Sequence, residues 1–306
     1  MRFDNLRKYL PDELNIPTKN DIHSLGHIKN YCSNGESGGT GCKTDLDKIN
    51  GACLWLFDQL FVKNENSINM AEYIIIWLSY MLNLKNDKKI TNFNDFYTNY
   101  IEKNRYYIKC DNGGNDCSDK LKNNTEYTNY KEIIDKKKEL LNINFGDMSK
   151  FYDAFKSLCN MYIELDASDP KSKKNLENAK EFVKTYDELN KHSNITKDGP
   201  YYQLLSTLSN DYDNFKNYCS MNKVDCSNMP PLSPINTKEN DVQSSAHNHV
   251  HNSGVTSSSS SITNKLIPVL SIIGVIGFLL GISYKYSLFG FRKRTQKQHL
   301  REKLKK

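Results

Sequence analysis

Leu266 to Tyr284, LIPVLSIIGVIGFLLGISY, runs nineteen residues without a charge. As a helix at about 1.5 Å per residue it extends roughly 28 Å, close to the ~30 Å hydrocarbon core of a bilayer. Helices in soluble cores rarely run this far without one charged side chain. The chain is therefore expected to carry a single C-terminal transmembrane helix over 265–285. Pro268 falls in the first turn, where a missing N–H costs little. Gly277 and Gly281 form a GxxxG pair and are candidates for helix association, although glycine is common in membrane helices for other reasons.

The flanks orient the span. From Lys285 to Lys306 there are nine Lys or Arg and one acid, Glu302, so this tail carries a net +8. The 33 basic and 35 acidic groups before it leave residues 1–284 at −2, so the whole-chain +6 belongs to the tail. The positive-inside rule places the basic tail, 286–306, in the cytosol and the N-terminal mass outside or in a lumen. A basic stretch leaving a bilayer suits anionic lipid headgroups, and no nucleic-acid partner is expected. The 37 Asn and 19 Tyr point to an AT-rich genome more than to a chemistry.

All eight cysteines precede the span: Cys32, Cys42, Cys53, Cys110, Cys117, Cys159, Cys219 and Cys226. An even count confined to the non-cytosolic side makes all eight candidates for disulfides. Eight cysteines allow 105 pairings. Short-range closures Cys32–Cys42, Cys110–Cys117 and Cys219–Cys226 are plausible because each pair brackets a polar stretch. Cys53 and Cys159, both on apolar helical faces, either pair across the core or stay as buried thiols. The N-terminus MRFDNLRKYLPDELN has no apolar core and is not a secretory signal peptide. The C-terminal span then serves as its own insertion signal, or the chain begins further upstream.

Apolar spacing before the membrane is helical throughout, with no sustained period-two alternation. Residues 1–43 read as polar and irregular. Thr44 or Asp45 is expected to cap a helix through DLDKINGACLWLFDQLF, and Asn69 a second through MAEYIIIWLSYMLNL, with Glu72 at the capping-box position. These two helices carry Trp55 and Trp77 and are expected to pack antiparallel at the centre. Further helices are marked by Phe93 to Ile101, Tyr127 to Leu141, Met148 to Ile163, Leu176 to Leu189 after Asp169-Pro170, and Leu205 to Phe215 after Gly199-Pro200. Lys109 to Lys120 reads as a loop. The expected fold is all-α, a helical-bundle ectodomain over 1–228 with disulfides. The Ser/Asn/His-rich segment 229–264 has almost nothing to bury and reads as a disordered stalk.

Few residues carry chemistry. Gly35-Glu36-Ser37-Gly38-Gly39 matches G-x-S-x-G, but that motif works between a strand and a helix, and here it sits in a polar loop. His23 and His27 are four apart but lack a carboxylate partner in pattern, and His247, His249 and His251 alternate within the stalk. DNGGND, Asp111 to Asp116, lacks the EF-hand ligand order. Asn123-Asn124-Thr125 and Asn194-Ile195-Thr196 are glycosylation sequons. No catalytic residue, metal site or cofactor is expected.

The stretches FDNLRKYLPDELN (Phe3 to Asn15), IKNYC (Ile28 to Cys32), CKTDLDKINGACLWLFDQLF (Cys42 to Phe61) and SLFGFRKRTQKQHLREKLKK (Ser287 to Lys306) closely resemble the Plasmodium interspersed repeat superfamily, PIR, in its rodent-parasite yir/bir/cir form. The resemblance covers head, stalk, span and tail. It implies a helical variant antigen of a large multigene family, exported into the infected erythrocyte and displayed there, and it accounts for the missing signal peptide. Relatives usually carry a cysteine just upstream of the FDNLRKYL-like motif. This chain has none there; if that cysteine normally pairs, either one of the eight here is left without its partner or the chain begins further upstream.

Two readings follow. In the first, the head contacts host receptors or antibodies, and sequence variation concentrates in loops such as 33–41, 109–126 and 190–200. In the second, the chain is a structural or trafficking protein of an internal parasite-derived membrane. The sequence fixes neither a ligand nor an oligomeric state.

Overall fold

The computed structural model describes residues 2–237 apart from 14–15, 19, 33–40, 113, 166–171, 194 and 222–223. The chain divides into two units, Met1–Ala246 and His247–Lys306, and every described residue lies in the first. The expected span, Gly277, Gly281, the basic tail, the three stalk histidines and most of the stalk lie outside the described residues. Among the described residues no helix is long and apolar enough to cross a membrane.

The first unit is predominantly helical. Its elements are α1 (Arg2–Arg7), a 3-10 turn (Ile22–Ser24), α2 (Ile28–Tyr31), α3 (Asp45–Phe57), α4 (Met70–Lys85), α5 (Phe93–Phe96), α6 (Arg105–Ile108), α7 (Ser118–Thr125), α8 (Tyr130–Lys136), α9 (Phe145–Leu165), α10 (Ser172–Leu189) and α11 (Pro200–Met221). A two-residue hairpin, β1 (Asp111–Asn112) and β2 (Asn115–Asp116), sits within the expected 109–120 loop. Both α3 and α5 run on into π-helical turns, Asp58–Lys63 and Tyr97–Ile101. The expected fourth helix is α8 followed by a 3-10 turn, Lys138–Asn142.

Local sequence explains the main helix starts. Thr44 caps α3 in a full capping box, its side chain accepting the Asp47 N–H while the Asp47 carboxylate accepts the Thr44 N–H. Asn92 and Asp95 do the same for α5. Pro200 opens α11, where its missing N–H is harmless. The core is a single cluster in which α4 packs on α9 and α3, and α9 packs on α10. Trp77 and Trp55 are both buried within it, at 1% and 4% exposure.

Two expectations need correction. The described residues of 1–43 include short helices, and Phe3, Leu6, Leu10, Ile22, Leu25, Ile28 and Tyr31 are all buried in the core. Their helices are too short to show a periodic pattern, so burial rather than periodicity is the signal. Glu72 is not a capping glutamate, and Asn69 makes no side-chain cap bond. Glu72 points inward, 2% exposed.

The opening of the expected stalk is also ordered. Residues 229–237 belong to the first unit, with Met229, Leu232 and Ile235 packed on its core. Composition understated this stretch because its few apolar residues are spaced to reach a surface already built.

Candidate functional site

Three buried polar clusters hold the helices in register. In the first, the Glu72 carboxylate on α4 accepts from Lys137 Nζ at 2.7 Å, Gln203 Nε2 at 2.5 Å and Thr207 Oγ1 at 2.6 Å, joining α4 to α11 and to the turn after α8. A buried charge needs such partners, because desolvation is otherwise prohibitive. In the second, the Tyr73 hydroxyl donates to the Asp211 carboxylate, and the Tyr162 hydroxyl donates to the Asp211 carbonyl. Burial pushes the Asp211 carboxyl up to about 6, since it outweighs the hydrogen bonds from Tyr73 and Asn214.

The third cluster holds down the N-terminal segment. Asp12, 5% exposed, pairs with Arg7 Nε and Lys156 Nζ, both at 3.2 Å, and accepts from the Tyr152 hydroxyl at 2.6 Å. Burial opposes its charge, but Tyr152, Arg7 and Lys156 together hold the carboxyl below its ordinary value. The Tyr80 hydroxyl donates to the Asp12 carbonyl, so α4, α9 and the first dozen residues share one knot. The sequence gives no local sign of these clusters, whose partners, Arg7–Asp12 and Asp211–Asn214 apart, lie 49 to 145 positions from one another.

On this frame sit three disulfide-closed loops. Cys32–Cys42 joins the end of α2 to the approach to α3, with Cα atoms 4.8 Å apart. The Cys42 N–H donates to His23 Nε2 at 3.0 Å, and His23 Nδ1 meets Asp21 Oδ1 at 2.7 Å. His23 thus ties the loop's closing end, and His27 stands at the start of α2. The G-x-S-x-G residues Gly35 to Gly39 lie outside the described residues.

Cys110–Cys117, Cα atoms 5.1 Å apart, closes the β1–β2 hairpin. Cys110 is fully buried, whereas Gly114, Asn115 and Asp116 are exposed. Asp111 accepts from the Gly114 N–H at 2.6 Å and from Arg105 at 3.2 Å, and these bonds shape the tip. Cys219–Cys226, Cα atoms 6.0 Å apart, closes the end of α11. All three separations suit a disulfide, and these pairs are the three short-range closures expected from spacing.

Cys53 and Cys159 are candidate disulfide residues that the structure leaves free and buried. Their surroundings explain why. Cys53 on α3 lies against Tyr107, whereas Cys159 on α9 is buried within electrostatic reach of Arg7, Asp4 and Asp211. Burial pushes both thiols up to about 12.

Among the described residues, no group of three or more His, Cys, Asp or Glu could hold a metal ion. The Asn123 sequon lies on α7, where the buried Thr125 hydroxyl donates to the Leu121 carbonyl at 2.8 Å. Asn194 of the second sequon lies outside the described residues.

Residues 1–285 match the sequence model of a family described as Plasmodium variant antigen protein Cir/Yir/Bir. A solved structure titled "Structure of a Plasmodium PIR protein ectodomain" is 33% identical, over 70% of this chain and 93% of that one, with a TM-score of 0.47. No curated protein matches. A family match over residues 1–285, with a 33% identical PIR ectodomain covered over 93% of its length, means that the chain belongs to the Plasmodium variant antigen family Cir/Yir/Bir, within the PIR superfamily.

Proposed function

We propose that this family member is a variant surface antigen, exported by the parasite into the infected erythrocyte. It is held in a membrane by 265–285 with its head outside and its tail in the cytosol. There the head meets host receptors or antibodies through its loops and carries out no catalysis. One observation supports this most: loop closure is separated from the frame. Each disulfide joins positions 7 or 10 residues apart, so each closes its own loop and none joins two distant parts of the core. At the hairpin the anchor Cys110 is buried and the tip is exposed. Residues can change at such a tip without disturbing the buried clusters that fix the helices.

The membrane assignment rests on the uncharged stretch Leu266 to Tyr284 and the basic tail after it. Protease treatment of intact infected cells, probed separately for head and tail, tests the reading. Loss of the head with survival of a span-plus-tail fragment supports surface display. A head that persists until the cell is permeabilised refutes it and favours an internal parasite-derived membrane. A tail cut before the head overturns the orientation.

A further inference from the structure

After α11 the chain turns back, and residues 224–237 run over the head without helix or strand. This strap packs Val224, Met229, Leu232 and Ile235 against the core. Its polar contacts are directed at main chain. The Tyr212 hydroxyl donates to the Pro230 carbonyl at 2.8 Å. Asn190 Nδ2 donates to the Pro234 carbonyl at 2.7 Å, and the Asn236 N–H donates to Asn190 Oδ1 at 2.9 Å. Asn190, just beyond α10, is 2% exposed, and Tyr212 on α11 is fully buried. The seat offers donors where the strap has acceptors alone, because Pro230 and Pro234 have no N–H. Three prolines in five residues, Pro230, Pro231 and Pro234, also hold the strap extended before it binds. Backbone readout of a pre-extended, proline-containing segment is the chemistry of a peptide-binding groove.

We propose that the α10–α11 surface around Asn190 and Tyr212 is a binding site for an extended proline-rich peptide, filled in cis by residues 229–236 and in trans by the same segment of a second copy of this chain. The occupant follows from the seated segment itself: whatever fits in cis fits identically in trans.

Cys219–Cys226 sets which occurs. With the bond closed, Met229 lies only three positions beyond the anchored Cys226, a reach of roughly 10 Å, and the strap stays in its own groove. Without the bond the chain from the end of α11 at Met221 to Met229 is eight residues, a reach of roughly 28 Å, enough to bridge to a neighbouring head. Exchange of an identical element between protomers is a low-cost route to a dimer.

The test is photo-cross-linking of the full chain in detergent, with Leu232→p-benzoylphenylalanine and a mixture of isotope-labelled and unlabelled copies. With the disulfide intact, Leu232 is expected to link to α10 or α11 of its own chain at all concentrations. In a Cys219→Ser/Cys226→Ser background, mixed-label dimers linked from strap to α10–α11 should rise at least fivefold with protein concentration. Adding Asn190→Ala should abolish them. Intramolecular links alone in the serine background, or dimers whose links map away from α10–α11, would overturn the proposal. A photo-reactive 228–237 peptide added to the Cys219→Ser/Cys226→Ser chain, whose own strap can leave the groove, gives a second reading. Labelling of α10–α11 at millimolar peptide, reduced tenfold by Asn190→Ala, is expected, and labelling indifferent to Asn190 contradicts the site.

Discussion

Gly51 and Cys32 are in contact: a methyl group added at Gly51 would stand 3.1 Å from the Cys32 sulfur, and equally 3.1 Å from Ile28 Cγ1. Glycine inside α3 costs about 1 kcal/mol of helix propensity, and the Cys32–Cys42 bridge rests on the space it leaves. Neither neighbour is free to retreat, since Cys32 is cross-linked and Ile28 is fully buried. Gly51→Ala should therefore lower stability by about 1–2 kcal/mol despite its better helix propensity. In a Cys32→Ser/Cys42→Ser background the penalty should shrink by more than half, a coupling that a double-mutant cycle in urea reads directly. An additive cycle would separate the glycine from the disulfide.

Glu72 is the hub of the α4–α11 contact, and its removal leaves Lys137 unpaired at 12% side-chain exposure. Glu72→Ala should cost about 3–5 kcal/mol, and Glu72→Gln clearly less, because the amide oxygen still accepts from Gln203 or Thr207. Chemical denaturation of the two variants decides this. Equal losses would mean that the charge, and not the buried acceptor, holds the helices together.

Asp211 gives the head a pH dependence of definite sign. Its folded carboxyl stands at about 6, above the ordinary 3.8, because burial penalises the anion. Its contribution is therefore fully present below pH ~4 and is lost as pH rises through 6. Asp211→Asn, which can still accept from Tyr73, should raise stability at pH 7.5 by on the order of 2 kcal/mol. The gain over wild type should fade toward pH 4. A gain that is constant from pH 4 to 7.5 would rule out titration of Asp211 as its source.

Asp12 runs the other way. Its carboxyl is held below 3.8, so its ion pairs are intact above that value and are lost as pH falls through the folded one. Asp12→Ala should destabilise by about 3 kcal/mol or more, since Arg7 and Lys156 lose a shared partner at a buried position. Amide exchange should then show α1 opening before α9. Unchanged protection of α1 would contradict the knot.

Cys53 and Cys159 should resist alkylation at pH 8 in the folded protein, since burial lifts both thiols to about 12 and leaves little thiolate. Two equivalents of label should enter on unfolding without reductant. Six should follow after reduction. Rapid labelling of either thiol in the native state would show that its helix is not packed as described.

Much of the frame is legible in the sequence, because α3, α4, α9, α10 and α11 are long enough for apolar side chains to recur at helical spacing. Thr44 and Pro200 announce their helices for reasons of local hydrogen bonding alone. What is not legible is either too short or too distant. Phe3 and Leu6 occupy a six-residue helix, less than two turns, so no period forms. Glu72 follows Asn69 at capping-box spacing, and nothing local reveals that Gln203 and Thr207 will claim its carboxylate instead. The short disulfides follow from polar loops between nearby cysteines, whereas the fate of Cys53 and Cys159 depends on how α3 and α9 are each turned in the core. The strap was hidden for a different reason. Its prolines read as linker, and they are also what lets Asn190 and Tyr212 hold it through carbonyls.

The most direct test of a fixed frame bearing exchangeable loops is to replace 33–41 and 111–116 in the full chain with the loops of another family member, keeping every cysteine. Thermal unfolding and recognition by antisera against the parent are then measured on the same sample. A frame independent of its loops predicts a melting temperature within a few degrees of the parent, together with loss of most antibody binding. A loop-exchanged head that unfolds by ten degrees or more below the parent, or that antisera still recognise in full, would contradict it.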